Sequence, residues 1–396
     1  MPGMSGRRGI TYEPDDQWKY DYLRANIRSA FTSGYCANGS IHKFFYVGKC
    51  LSVYPAYNPS GAAWMKSPVL SIIIPSYNHC RFLPERLNSI YAQLSLDFEL
   101  IILDDASQDG SVELIREILQ GKEYTLVVNT ENSGSPFGQW EKGFQLARGN
   151  YIWIAESDDS CDPAFVSSIL PDLESGRVAL AFTRTMSIDD DGHETNNAYW
   201  PELFNRNFFA QNQLISCRRF LCDFLGARNC IPNVSSVIFS TQGVKREVRH
   251  AAQSAAHFRF AGDWIFWACL LLAYGERSML YISSPLCLHR DHGSTTRIVL
   301  ERNREGQRMR EYSKVIQQVL CLQGLHGASI SLRALSSGWW DWSYHQYLFR
   351  YKPLFVQRLI GFPQGGIHLI GYWVYRIRGI FGFRRLTCLL SSSEPN

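Results

Sequence analysis

Three acidic groups fall at the borders of short apolar runs of this chain. Asp104 and Asp105 close FELIIL, Asp158 and Asp159 follow YIWIA after Glu156 and Ser157, and Asp263 follows Gly262 at the start of an apolar helical stretch. Adjacent carboxylates at one strand end repel each other unless a cation or a hydrogen-bond donor compensates. A hard divalent ion such as Mg2+ or Mn2+, held by one or two carboxylates together with phosphate oxygens, supplies that compensation. A lone carboxylate is also the group that can take a proton from an attacking hydroxyl. Taken singly, each acid reads equally well as a turn or helix cap, because ASQDGS, the residues before Pro163 and the Gly262–Asp263 pair can all bond their own backbone. Three such groups at or just beyond the carboxyl ends of strands, where an open parallel sheet places its ligand, point instead to a site. Further along, LHRDHGSTT brings Arg290 beside His289 and His292. Two histidines without further ligands make a poor zinc site, since Zn2+ prefers four nitrogen or sulfur ligands.

The elements that must position these residues follow from periodicity. VLSIII (69–74), FELIIL (98–103), YTLVV (124–128), YIWIA (151–155) and VALAFT (178–183) are short apolar runs, and segments with apolar residues at helical spacing separate them. Such runs read as buried parallel strands, so the spacing predicts an α/β, doubly wound, mostly parallel sheet over about 67–297. After an irregular stretch from 185 to 232, a strand is expected at 234–240, then two helices and two short strands leading into a loop at 288–296. Residues 299–321 read as a charged surface helix. Residues 1–66 form an irregular extension with one helix near 18–33, and 298–396 a helical, aromatic and basic region.

SIIIPSYN (71–78), LDDASQDGS (103–111), ENSG (131–134), ARGNYIWIAESDD (147–159) and AGDW (261–264) together resemble the inverting family 2 glycosyltransferases of the GT-A fold, in the subset that builds bacterial cell-surface polysaccharide or lipopolysaccharide. The resemblance implies transfer of a sugar from a nucleoside diphosphate donor, UDP-linked, to a glycan or lipid-linked hydroxyl, with Mg2+ or Mn2+ as cofactor. It further implies roles for single residues. Pro75, Ser76 and Tyr77 would receive the base, with Tyr77 stacked on it. Asp105 would accept from uracil while Asp104 supports the loop. Asp158 would face the ribose, and Asp159, with His292 nearby, the metal. Arg290 would compensate charge at the diphosphate. Asp263 would be the general base, and Trp264 would stack on the acceptor sugar. ESDD departs from a literal DxD, and PNVSS (232–236) is open between ligand contact and strand entry. A nucleotidylyltransferase would need a glycine-rich loop after the first strand and a dinucleotide-binding dehydrogenase GxGxxG, and SIIIPSYNHC has neither. A non-catalytic nucleotide-sugar binder of the same fold is the alternative, disfavoured by the presence of Asp159 and Asp263.

Composition bounds the partners. With 45% hydrophobic and 19% charged residues the chain has the makings of a large core, which excludes disorder, and a net charge of +4 gives no bulk case for nucleic acid. The 11 cysteines contain no CxxC pair and read as reduced thiols of a cytoplasmic protein. No apolar run reaches the ~20 residues of a bilayer span. Between Asp341 and Glu394 there is no acid, while Arg350, Lys352, Arg358, Arg376, Arg378, Arg384 and Arg385 alternate with aromatic side chains. That pattern suits the interface of an anionic membrane, the competing expectation being a helical tail packed on the catalytic domain.

Overall fold

The computed structural model describes residues 52–54, 68–93, 97–195, 197, 199–226 and 229–292, with 307, 311, 312, 314, 315, 318 and 319. In chain order the elements are β1 (Ser52–Tyr54), β2 (Leu70–Ser76), α1 (Leu83–Tyr91), β3 (Phe98–Asp104), α2 (Ser111–Ile118), β4 (Thr125–Val128), α3 (Pro136–Leu146), β5 (Tyr151–Ile154) and β6 (Ser160–Cys161). They continue with α4 (Phe165–Glu174), β7 (Val178–Ile188), α5 (Trp200–Phe209), β8 (Gln213–Ser216), α6 (Cys217–Phe220), β9 (Val237–Ser240), α7 (Lys245–Ala256), α8 (Gly262–Tyr274) and β10 (Ser278–Arg290). They build one sheet in the order β1-β4-β3-β2-β5-β9-β7-β10-β6, with β8 on β10. Strands β4, β3, β2 and β5 are mutually parallel, as are β7 and β10, whereas β9 runs antiparallel between β5 and β7.

Every residue of β2 is buried, because helices cover both faces of the sheet. Strand alternation sends Ile73 into one core, with α3, α7 and α8, and sends Leu70, Ile72 and Ile74 into the other, with α1, α2 and α4. The first core is tight where α3 meets its neighbours. A Cβ on Gly143 would lie 2.6 Å from Ile73 Cγ2, and one on Gly262 would overlap the Phe137 ring. Gly262→Ala is therefore expected to lower stability by about 1–3 kcal/mol through overpacking, read as a shift of the denaturant midpoint. A midpoint equal to the parent's would mean that Phe137 moves aside freely.

Several expectations are corrected. The final strand is a single 13-residue element through Arg290, bulged around Pro285, in place of two short strands and a loop from 288. Proline breaks the apolar run without breaking the strand, because a bulge absorbs it. Residues 185–232 are more regular than their polarity suggested: β7 runs on to Ile188, and α5, β8 and α6 follow. At 234–240 the first three residues form a 3-10 turn and only the last four a strand. Nor is the segment near 311–319 simply a surface helix, since Val315 and Val319 are fully buried in the first core. Val315 and Val319 thus add to the core of the sheet from beyond 297, and Ser52–Tyr54 adds an edge strand on β4 before 67. The expected helix at 18–33 and the basic tail lie outside the described residues. No described helix is long and apolar enough to cross a membrane.

Candidate active site

At the carboxyl ends of β2 and β3, Tyr77 is exposed at 44% and offers its ring to solvent. The chain turns there through two non-glycine residues with left-handed backbone, Asn78 (φ 54°) and Ala106 (φ 65°). Such conformations persist only where surroundings over-determine them. Here Asn78 donates its N–H to Ser107 Oγ and accepts from the Gln108 N–H, tying the two strand ends together. Asp104 is buried and accepts one bond, from the Ser107 N–H (2.9 Å), while its Oδ2 has no partner; burial raises its carboxyl above the ordinary range. Ser76 Oγ, on the neighbouring strand end, is likewise buried without a partner, as are Ser135 Oγ and Gln139 Oε1 nearby on the α3 side. Pro75 lies one residue back on β2, opposite Leu103. Asp105 accepts from Asn129 Nδ2, Gln139 Nε2, and the N–H and hydroxyl of Ser133. Its carboxylate thus anchors the loop leading to α3 and is largely occupied by the protein itself.

After β5 the ESDD turn separates its four side chains. Burial, reinforced by the charges of Asp158 and Asp159, pushes the Glu156 carboxyl up to about 8. Asp158 Oδ2 lies 3.0 Å from His292 Nε2 and 3.9 Å from His79 Nε2. Burial opposes its charge, but the His292 hydrogen bond and the surrounding histidines hold it well below the ordinary carboxylate range. Ligand atoms of His79, Asp158 and His292 all lie within 4.8 Å of one another. His79 Nδ1 meets Ser157 Oγ at 2.8 Å, so the tautomer donating there leaves the Nε2 lone pair facing Asp158.

Asp159 and Arg290 are both engaged by the protein itself. Asp159 is 2% exposed, and its Oδ1 accepts the Arg290 N–H (3.1 Å) and lies 3.1 Å from His289 Nδ1. Burial disfavours charge on His289, yet the Asp159 carboxylate raises that imidazole to about 9. Asp159 thus pairs with His289, and its neighbour Asp158 is the carboxylate turned toward His79 and His292. Arg290, 1% exposed, donates to the Asp158 carbonyl (2.9 Å), the Asp189 carbonyl (2.7 Å) and Glu85 Oε2, and its guanidinium lies over Phe82. It clamps three segments.

Asp263 opens α8 half-buried, accepting from Asn229 Nδ2 (2.7 Å) on one oxygen and from the Trp264 N–H (2.8 Å) on the other. Asn229 is itself oriented by the Ile231 N–H on its Oδ1. Trp264 is 1% exposed, its indole N–H donates to the Leu225 carbonyl, and its ring meets Tyr312 edge-on. In PNVSS, Asn233 caps the 3-10 turn and Ser235 accepts the Glu156 N–H, so this segment supports the ESDD turn from below.

Sequence reasoning passed over His79, Glu156 and Asn229. For His79 a signal was present, two residues past Tyr77 in the turn that follows β2; Asn229 carries none short of the fold.

Residues 71–249 match the family described as Glycosyl transferase family 2. Curated relatives include the chondroitin synthase of Pasteurella multocida (strain Pm70), 28% identical over 138 residues that make 34% of this chain and 14% of that protein. Another is the putative teichuronic acid biosynthesis glycosyltransferase TuaG of Bacillus subtilis (strain 168), 27% identical over 158 residues, 39% of this chain and 62% of that one. The chain thus spans less than two thirds of the length of these relatives. Among solved structures, S. aureus TarS 1–349 in complex with UDP superposes with a TM-score of 0.51 at 14% identity, over 73% of this chain and 76% of that one, which shows a shared fold. Motif order, sheet and matched segment agree: the chain carries a glycosyl transferase family 2 domain, residues 71–249, on a mostly parallel sheet of the GT-A type.

Proposed function

We propose that the protein transfers a sugar from a UDP-linked donor to a hydroxyl of a glycan or lipid-linked acceptor with inversion, in the assembly of a surface polysaccharide. The observation that carries the reading is the juxtaposition of His79, Asp158 and His292 after β5, close to strand ends where Tyr77 is exposed and Ser76 Oγ and Asp104 Oδ2 are buried without partners. Unpaired buried polar atoms cost free energy unless a ligand completes them. The printed names of the relatives, chondroitin synthase and teichuronic acid biosynthesis, support a polysaccharide product, and the UDP-bound neighbour of the same fold supports the nucleotide.

The residues fit a divalent cation. Two imidazoles and one carboxylate suit Mn2+ better than Mg2+, which takes oxygen ligands. When bound there by Asp158, His79 and His292, the ion supplies positive charge to the diphosphate as it leaves. The chain's own residues do the rest. Asp263, kept in place by Asn229, accepts the proton of the acceptor hydroxyl; that oxygen attacks the anomeric carbon from the face opposite the leaving group, and the bond to the diphosphate breaks with its electron pair. The tail from 342 would bring the domain to an anionic membrane, where lipid-linked acceptors reside.

A panel of nucleotide sugars, scored by protection against thermal unfolding, tests the donor class. In the same assay Tyr77→Ala is expected to weaken UDP binding by ~1–3 kcal/mol, the size of an aromatic–base stack. Unchanged protection by UDP in the variant would remove Tyr77 from the nucleotide site.

A further inference from the structure

The helix that presents Asp263 has no side-chain cap from its N-cap residue. Its N-cap is Ala261, with no side chain able to accept, and the preceding residues bring three successive N–H groups inward. All three converge on one distant oxygen: Glu311 Oε2 accepts from Arg259 (3.0 Å), Phe260 (2.7 Å) and Ala261 (3.3 Å). Its other oxygen accepts from Gln307 Nε2 (3.1 Å). A run of N–H groups curled around one anion is a backbone nest, here filled by the protein's own carboxylate. Glu311 is 8% exposed, and Val315 and Val319, fully buried in the core to which α8 also belongs, fix it there. Tyr312 braces Trp264, the residue after Asp263.

We infer that Glu311 is a positioning residue for Asp263: from beyond the matched segment 71–249, its carboxylate grips the three N–H groups that lead into the base's helical turn and so fixes where the base carboxylate stands. The inference rests on reading Asp263 as the base. The turn is held at three points, by Glu311 before it, by the Phe137 ring against Gly262, and by Asn229 on the carboxylate itself. Of these, the Glu311 contact alone controls the backbone entering the turn. Without it the entry can shift, and a misplacement of about 1 Å costs a reacting group on the order of 10²-fold in rate.

The test measures UDP release, with water as acceptor, from an equimolar mixture of UDP-glucose, UDP-GlcNAc, UDP-GalNAc and UDP-glucuronate, using the full chain in Mn2+. Glu311→Ala is expected to lower kcat ~10²-fold with the apparent KM within ~3-fold of the parent, since the nucleotide side is untouched. Glu311→Gln, whose amide oxygen still accepts, should restore kcat to within ~5-fold of the parent. Should the alanine variant fail to fold, Glu311→Asp decides, because a carboxylate one methylene shorter draws back from the nest and should cost ~10-fold in kcat at unchanged KM. Parent kcat in the alanine or aspartate variant, or a loss confined to KM, overturns the proposal alone, provided Asp263→Asn is slow in the same assay. Asp263→Asn at the parent rate removes the base reading and the proposal with it. No release by the parent removes the transferase reading as well as the proposal.

Discussion

Asp158→Ala is expected to lower sugar transfer by at least ~10³-fold, about 4 kcal/mol of barrier, and a chelator in excess is expected to do the same to the parent. The structure sets this weight on Asp158, because it is the carboxylate that shares a 4.8 Å cluster with two imidazoles. Loss of one ligand from a three-residue set weakens the hold on a cation, and with it the charge that balances a leaving diphosphate. Asp159→Asn makes the contrast. It breaks an internal pair with His289 and the bond to the Arg290 N–H, so its damage should appear first as lowered thermal stability, with Mn2+ affinity closer to the parent's. Titration of Mn2+ by calorimetry or by its paramagnetic resonance signal, on both variants, separates the two. Full transfer in chelator, or Mn2+ binding lost in Asp159→Asn and kept in Asp158→Ala, would reverse the assignment.

Asp263→Asn should reduce turnover by ~10²–10⁴, the range for a group that moves a proton in the transition state. The amide keeps the size of the carboxylate and one oxygen to accept from the Trp264 N–H or from Asn229, so the helix start should survive. UDP binding, read as thermal protection, should be unchanged. The loss therefore belongs in kcat. A variant within twofold of the parent would return Asp263 to the status of a helix-terminal acid.

Strands β2, β3 and β5 were legible because a strand buried on both faces needs a near-continuous apolar run, and YIWIA is one, while VLSIII and FELIIL are each broken by a single polar residue, Ser71 and Glu99, which bond to each other. The antiparallel direction of β9 left no trace, since a buried strand looks the same in either sense. Within ESDD, adjacent side chains diverge once the turn forms, and which of Asp158 and Asp159 faces out depends on β10 docking beside β6. Charge type was visible for Arg290, but its burial under Phe82 and Glu85 was not. Glu311 illustrates the limit most sharply: its partners lie about fifty positions upstream, and only the packed core brings them together.

The placement of β10 also bears on how the protein is made. β7 pairs on one side with β9 and on the other with β10, and both β6 and β8 hydrogen-bond to β10, so three earlier strands wait for one that ends the sheet. At a synthesis rate of ~5–20 residues per second, the roughly one hundred residues between the end of β7 and the end of β10 leave an apolar strand edge open for ~5–20 s on the ribosome. During that interval the emerging chain carries a template for pairing with other chains, and His292 has yet to join Asp158. Assembly of the His79, Asp158 and His292 cluster and closure of the aggregation-prone edge thus fall at the same stage of translation, and a nascent chain arrested before β10 would both lack the cluster and be a substrate for chaperones.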